Sequence, residues 1–122
     1  MEPAPNLTLT FTALADSTRR SLIHALAHGE TLSASELCRR LRADSRSIAR
    51  HLQILERGGL IERVGEEPAP RFRLCQKPLQ AAVAWIARQD TLYMRALDDL
   101  DRRLSETADS ERGWLARRGA AD

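Results

Sequence analysis

The sequence predicts a mainly α-helical domain with one small β-hairpin, and three patterns carry that prediction. Amphipathic segments with capping residues at their starts recur as far as Arg57. Two short runs, Leu60–Val64 and Arg71–Cys75, read as strands around a loop that contains Gly65, Pro68 and Pro70. From Pro78 onward, apolar residues recur at steps of four and three along one long helix. Together they give five helices and a hairpin, with a domain over residues 7–104 and a flexible tail over 105–122, where small and charged residues dominate.

Each element has a local cause. Leu7, Leu9, Phe11 and Leu14 form an apolar segment read as the first helix, although the alternating Thr8, Thr10 and Thr12 also fit a strand. Asp16 or Ser17 caps the second helix, whose stripe is Leu22, Ile23, Leu26 and Ala27, and Gly29 ends it. Ser33 with Glu36 three residues on has capping-box spacing and starts a short helix that buries Leu37 and Leu41. Ala43 and Asp44 turn the chain, and Asp44 caps the next helix, which buries Ile48, Leu52 and Leu55. Gly58 and Gly59 end it before the hairpin. Pro78 suits the first turn of the last helix. There Leu79, Val83, Ile86, Asp90, Tyr93, Leu97, Leu100 and Leu104 form a heptad seam interrupted only by Asp90. So small a domain cannot cover a seam of that length, so a second copy of the chain is the expected cover.

Composition bounds the function. With 122 residues, 43% hydrophobic and 30% charged, the chain fits one domain with a modest core. A formal charge of +2 is weak evidence for an anionic partner. Apart from Lys77, however, every cationic residue is arginine. The guanidinium fork suits phosphate and guanine, though a GC-rich genome also enriches arginine. Cys38 and Cys75 are too few for a disulfide framework. Residues 1–6 do not read as a signal peptide, and no run approaches the roughly 20 apolar residues of a membrane span. The expectation is a cytoplasmic protein with reduced thiols and no membrane partner. There is no glycine-rich phosphate loop, nucleophile motif or convincing metal set, so no enzyme activity, catalytic residue, cofactor or metal is assigned.

The helix over 45–57 carries the chemistry. At about 100° per residue, Arg46, Arg50, Gln53 and Arg57 fall on one line, opposite Ile48, Leu52 and Leu55. Ser47 and His51 flank that line, and Ser45, which opens the helix, is counted with them as a DNA-binding residue. Arginine can bridge O6 and N7 of guanine and glutamine can pair with adenine, so this face suits the major groove of duplex DNA. Arg39, Arg40 and Arg42 on the preceding helix suit phosphates, which position a protein without specifying sequence. Arg71 and Arg73 share one face of the return strand and suit the backbone or minor groove, with 64–73 as a wing. His51 either contacts phosphate or packs at the foot of its helix. His24 and His28 are four apart, a spacing compatible with metal but more often mere packing.

The run Phe11-Thr-Ala-Leu-Ala-Asp16-Ser-Thr-Arg-Arg20 resembles the opening of the ArsR-type winged helix-turn-helix regulators. Arg50-His51-Leu52-Gln-Ile-Leu55, followed by Gly59-Leu60-Ile61, is similar to that family's recognition helix and strand entry. The resemblance spans about residues 7–104. It implies a homodimer joined through first and last helices, which places Phe11 and Leu14 with the seam residues at the interface. It also implies repression by occupying operator DNA until a signal arrives, here a small-molecule or redox inducer not identified by sequence. Where family members commonly have Gln-Pro-Ala, this chain has Ser45, Arg46 and Ser47. Metal-sensing members carry Glu-Leu-Cys-x-Cys; here Glu36-Leu37-Cys38 is followed by Arg40 at the second cysteine position. The last helix has no histidine, so the chain resembles the autorepressor-like branch lacking a metal site. Two alternatives remain: a thiol- or metalloid-responsive repressor using Cys38 and Cys75, and a winged-helix protein-interaction module.

Overall fold

The computed structural model describes residues 5–65 and 68–120, with side chains to residue 118. It divides into two units, Met1–Ala84 and Trp85–Asp122. The elements are α1 (Leu7–Leu14), α2 (Ser17–Leu26), β1 (Leu32–Ser33), α3 (Ala34–Leu41), α4 (Ser45–Arg57), β2 (Ile61–Val64), β3 (Arg71–Leu74) and α5 (Gln76–Ala120). Among the described residues, five helices and a small antiparallel sheet that contains the hairpin match the architecture the sequence predicts.

Side chains cap the starts of the first four helices. Asn6, Asp16, Ser33 and Asp44 each accept a hydrogen bond from the amide three residues on. Each bond satisfies a donor that the helix leaves unpaired. The first segment is a helix despite its threonines. Thr10 is fully buried, and its hydroxyl donates to the Asn6 carbonyl at 3.1 Å, so its polar group enters the core satisfied. Thr10 and Ala13 are the buried residues of α1, while Leu7, Phe11 and Leu14 are half-buried.

The end of α1 is closed by two arginines from α2. Arg19 Nε donates to the Ala13 carbonyl at 2.7 Å and its Nη2 to the Thr12 carbonyl at 2.9 Å. Arg20 Nη1 donates to the Leu14 carbonyl at 2.8 Å. The stripe of α2 goes inward at Leu22 and Leu26, with Ile23 half-buried. Ala27, expected in that stripe, is exposed, because it is the helix's C-cap and has left the packed face.

Helices α3 and α4 are joined by a tight turn that begins one residue earlier than Ala43. Arg42 itself is left-handed, at φ 52° and ψ 47°. That conformation lets Ala43 N–H reach the Cys38 carbonyl at 3.1 Å. The end of α4 forms a Schellman closure: Gly59 N–H bonds the Glu56 carbonyl at 3.0 Å, and Leu60 N–H bonds the Leu55 carbonyl at 2.9 Å. Gly59 has φ +74°, where a side chain would be strained.

The hairpin belongs to a three-stranded sheet of order β1-β3-β2. Strand β1 was not expected; two residues are too short to show a period. It exists because Leu32 and Ser33 pair with Phe72 and Arg71. The other edge runs from Ile61 opposite Leu74 to Val64 opposite Arg71. Phe72 and Leu32 join Leu22, Leu26, Leu37, Ile48, Leu52 and Leu55 in one core.

Helix α5 runs 45 residues without a break and continues past Leu104, where the sequence reading ended the domain, to Ala120. Residues 105–120, assigned there to a flexible tail, are helical. Within the first unit, Leu79 packs against the core. Val83 is 65% exposed. In the second unit, the seam residues Ile86, Tyr93, Leu97, Leu100 and Leu104 are all exposed.

Leu55 has no exposed surface, and truncation leaves a cavity among residues that α4 holds in place. Leu55→Ala should lower stability by about 3 kcal/mol, read from urea unfolding.

Candidate nucleic-acid interface

The orientation of α4 follows from its burial. Ile48, Leu52 and Leu55 are buried, so the opposite line is forced outward. Arg46, Arg50, Gln53 and Arg57 are all exposed, as are Ser45 and Ser47. The backbone amide of Ser47 is held by the Asp44 carboxylate at 3.3 Å, which fixes the first turn. Among the described residues, Arg46, Arg50 and Arg57 form no ion pair or hydrogen bond through their guanidinium groups. Arg39 on α3 is exposed and makes no side-chain hydrogen bond or ion pair among those residues, although its charge acts on Glu36.

Arg42 is also exposed, with no ion pair or hydrogen bond through its guanidinium among the described residues, whereas Arg40, Arg71 and Arg73 are committed elsewhere. Arg40 pairs with Glu30 at 3.0 Å. Arg71 donates to the Glu36 carboxylate at 3.1 Å, to the Thr31 hydroxyl at 3.0 Å and to the Thr31 carbonyl at 2.6 Å. Arg73 pairs with Glu62, across the hairpin. Arg63 grips Glu56 of α4 and lies over the Phe72 ring at 5.7 Å. The expectation that Arg71 and Arg73 are free to track a DNA backbone thus meets a different geometry. Their guanidiniums tie the wing to α3, to the segment before it and to the neighbouring strand.

His51 is drawn back from the line. Its side chain is 17% exposed, with Nδ1 3.3 Å from Arg19 Nη1 and 3.8 Å from Asp16 Oδ2. Sequence reasoning missed Arg19 altogether. Its one local signal is a position three residues after a cap, which does not foretell contacts with α1 and α4.

Among the described residues, two carboxyls are displaced from their ordinary range. Glu36 is held below its usual value chiefly by the hydrogen bond from Arg71. Asp16 is lowered chiefly by the Arg19 amide, with His51 and the Arg19 charge adding to the effect.

No three His, Cys, Asp or Glu side chains converge on a metal-sized site among the described residues. The His24 and His28 rings lie edge to face at 6.3 Å. Cys38 and Cys75 are both half-buried. Cys38 packs against the core, while Cys75 N–H bonds the Leu60 carbonyl at 2.8 Å. No helix among the described residues is long and apolar enough to cross a membrane.

Comparison with known proteins matches this architecture. The helix-turn-helix domain family matches residues 14–64. The HTH-type transcriptional regulator Rv2034 of Mycobacterium tuberculosis is 35% identical over 85 residues, covering 70% of this chain and 76% of that protein. An ArsR-like transcriptional regulator from Rhodococcus sp. RHA1 superposes with a TM-score of 0.75 at 30% identity, covering 82% of this chain and 91% of its own. A homodimeric winged helix-turn-helix DNA-binding domain from Mycobacterium bovis shares the fold, with a TM-score of 0.56 at 20% identity, over 70% of this chain and 81% of that one.

The depressed Glu36 carboxyl has a consequence for acid stability. A lowered folded value means its stabilisation is complete above the ordinary 4.5 and is lost as pH falls through the depressed value. Glu36→Gln should therefore flatten the acid side of the stability profile, read as urea midpoint against pH, and leave its neutral-to-alkaline shape unchanged.

Proposed function

Because the chain belongs to the ArsR family of helix-turn-helix transcriptional regulators, we propose that it is a cytoplasmic, homodimeric repressor that occupies operator DNA. The family and these relatives are transcriptional regulators, not enzymes. In this reading α4 lies in the major groove and reads bases with Arg46, Arg50 and Gln53. Ser45 and Ser47 at the start of α4 and Arg39 and Arg40 on α3 contact phosphate, Arg40 by releasing Glu30. The wing lies beside the backbone or minor groove. Arg71 and Arg73 chiefly brace it, since a phosphate contact would require them to give up Glu36 and Glu62.

One observation carries the reading. Among the described residues, the arginines of α4 stand exposed and unpaired, while Arg40, Arg63, Arg71 and Arg73 are each held by a glutamate. Unspent guanidiniums gathered on one helix opposite its buried face are what an anionic groove requires. That face also lacks the large apolar or aromatic anchors of a protein-docking helix. Support for a homodimer comes from the exposed seam of α5 and from the homodimeric state of the Mycobacterium bovis domain with this fold. Its interface would take in Phe11 and Leu14 with Leu79, Val83, Ile86, Tyr93, Leu97 and Leu100.

Duplex binding should weaken steeply with salt, since each neutralised phosphate releases counterions. Arg50→Ala should cost about 1–3 kcal/mol on the preferred sequence and less on others; an equal loss everywhere assigns Arg50 to phosphate. Ile86→Asp should yield monomers by sedimentation and abolish operator binding, because paired half-sites are read together. A dimer that survives this change would remove the seam from the interface.

A further inference from the structure

The contact between Arg19 and His51 determines which ring nitrogen of the histidine carries its proton. An arginine side chain offers only donors. The bond between Arg19 Nη1 and His51 Nδ1, at 3.3 Å, therefore needs a lone pair on Nδ1. A neutral ring in that bond carries its proton on Nε2. Arg19 has little freedom to release the ring, because its Nε and Nη2 are spent on the Ala13 and Thr12 carbonyls. Asp16 Oδ2, at 3.8 Å from Nδ1, is beyond hydrogen-bond reach and itself accepts from the Arg19 amide at 3.1 Å.

The other edge of the ring is open. His51 Nε2 has no hydrogen-bond partner among the described residues. The half-buried side chains also contain no polar atom that is both sealed from solvent and unpaired. The Nε2–H therefore reaches solvent, on the partly exposed edge of the ring.

We propose that Arg19 is a positioning residue for DNA binding: it holds His51 as the Nε2–H tautomer, so that the ring donates one neutral hydrogen bond to a phosphate oxygen. The inference rests on the reading that α4 faces DNA. It adds that this contact is tied to the end of α1 through one guanidinium. Because the ring is uncharged, the contact fixes register on the backbone without releasing a counterion.

The test uses the full chain and a mixed-sequence duplex of about 30 base pairs. His51→Ala should weaken binding about tenfold, as expected for a lost hydrogen bond to a charged acceptor, with the salt slope unchanged. His51→Gln, whose amide nitrogen lies near the Nε2 position, should restore most of the affinity. His51→Asn, whose amide lies near Nδ1, should not. Arg19→Lys keeps the charge but loses the fork; it should weaken binding like His51→Ala, and the double variant should lose no more than either. Nitrogen-15 spectra of the free wild-type protein above the histidine titration should show a bare Nδ1 and a protonated Nε2.

Wild-type binding by His51→Ala, a salt slope reduced by about one ion, or a protonated Nδ1 would each overturn the proposal. A wild-type chain that ignores duplex DNA would overturn the α4 reading and the phosphate contact with it. The ring spectra would still report separately whether Arg19 holds the tautomer.

Discussion

The burial of Ile48, Leu52 and Leu55 is the constraint on which the rest of the molecule turns. Side chains of this size each contribute about 1.5–3 kcal/mol when removed from water. Rotating α4 about its axis would expose all three and bury arginines in their place, so the helix has one tolerable orientation. The outward direction of Arg46, Arg50, Gln53 and Arg57 is therefore a consequence of core packing.

What surrounds α4 makes that orientation rigid. Asp44 caps its start, and the closure at Gly59 ends it with two backbone bonds. The left-handed Arg42 sets how α3 approaches it, and Arg63 ties its last turn to β2. Arg19 fastens the end of α1 and the His51 ring with a single side chain. A surface that must match a groove gains from such bracing, because a helix that rocks spreads its contacts over many registers.

Charge is arranged by pairing more than by amount. The formal balance of +2 leaves little net field. Four glutamates (Glu30, Glu36, Glu56 and Glu62) each neutralise one arginine away from the exposed face of α4. These exposed pairs are worth little in stability. Their effect, among the described residues, is to leave the unspent cationic charge of the α3–α4 region on α4 and on the neighbouring Arg39 and Arg42.

Much of the fold could be read from residues close together in the chain. Caps at Asp16, Ser33 and Asp44, the stripe on α4 and the seam along α5 all act within a turn or two, so spacing alone reveals them. The first helix was harder, because its threonines alternate as a strand would, and burial of Thr10 against the Asn6 carbonyl resolves it as helix. Three features lay beyond any local pattern. Strand β1 exists only through Phe72 and Arg71, Arg71 finds Glu36 across 35 positions, and His51 finds Arg19 across 32. Periodicity says which face of an element is apolar. Which distant side chain lies beside a given arginine depends on how the packed elements meet, and that arrangement separates braced guanidiniums from those left to act.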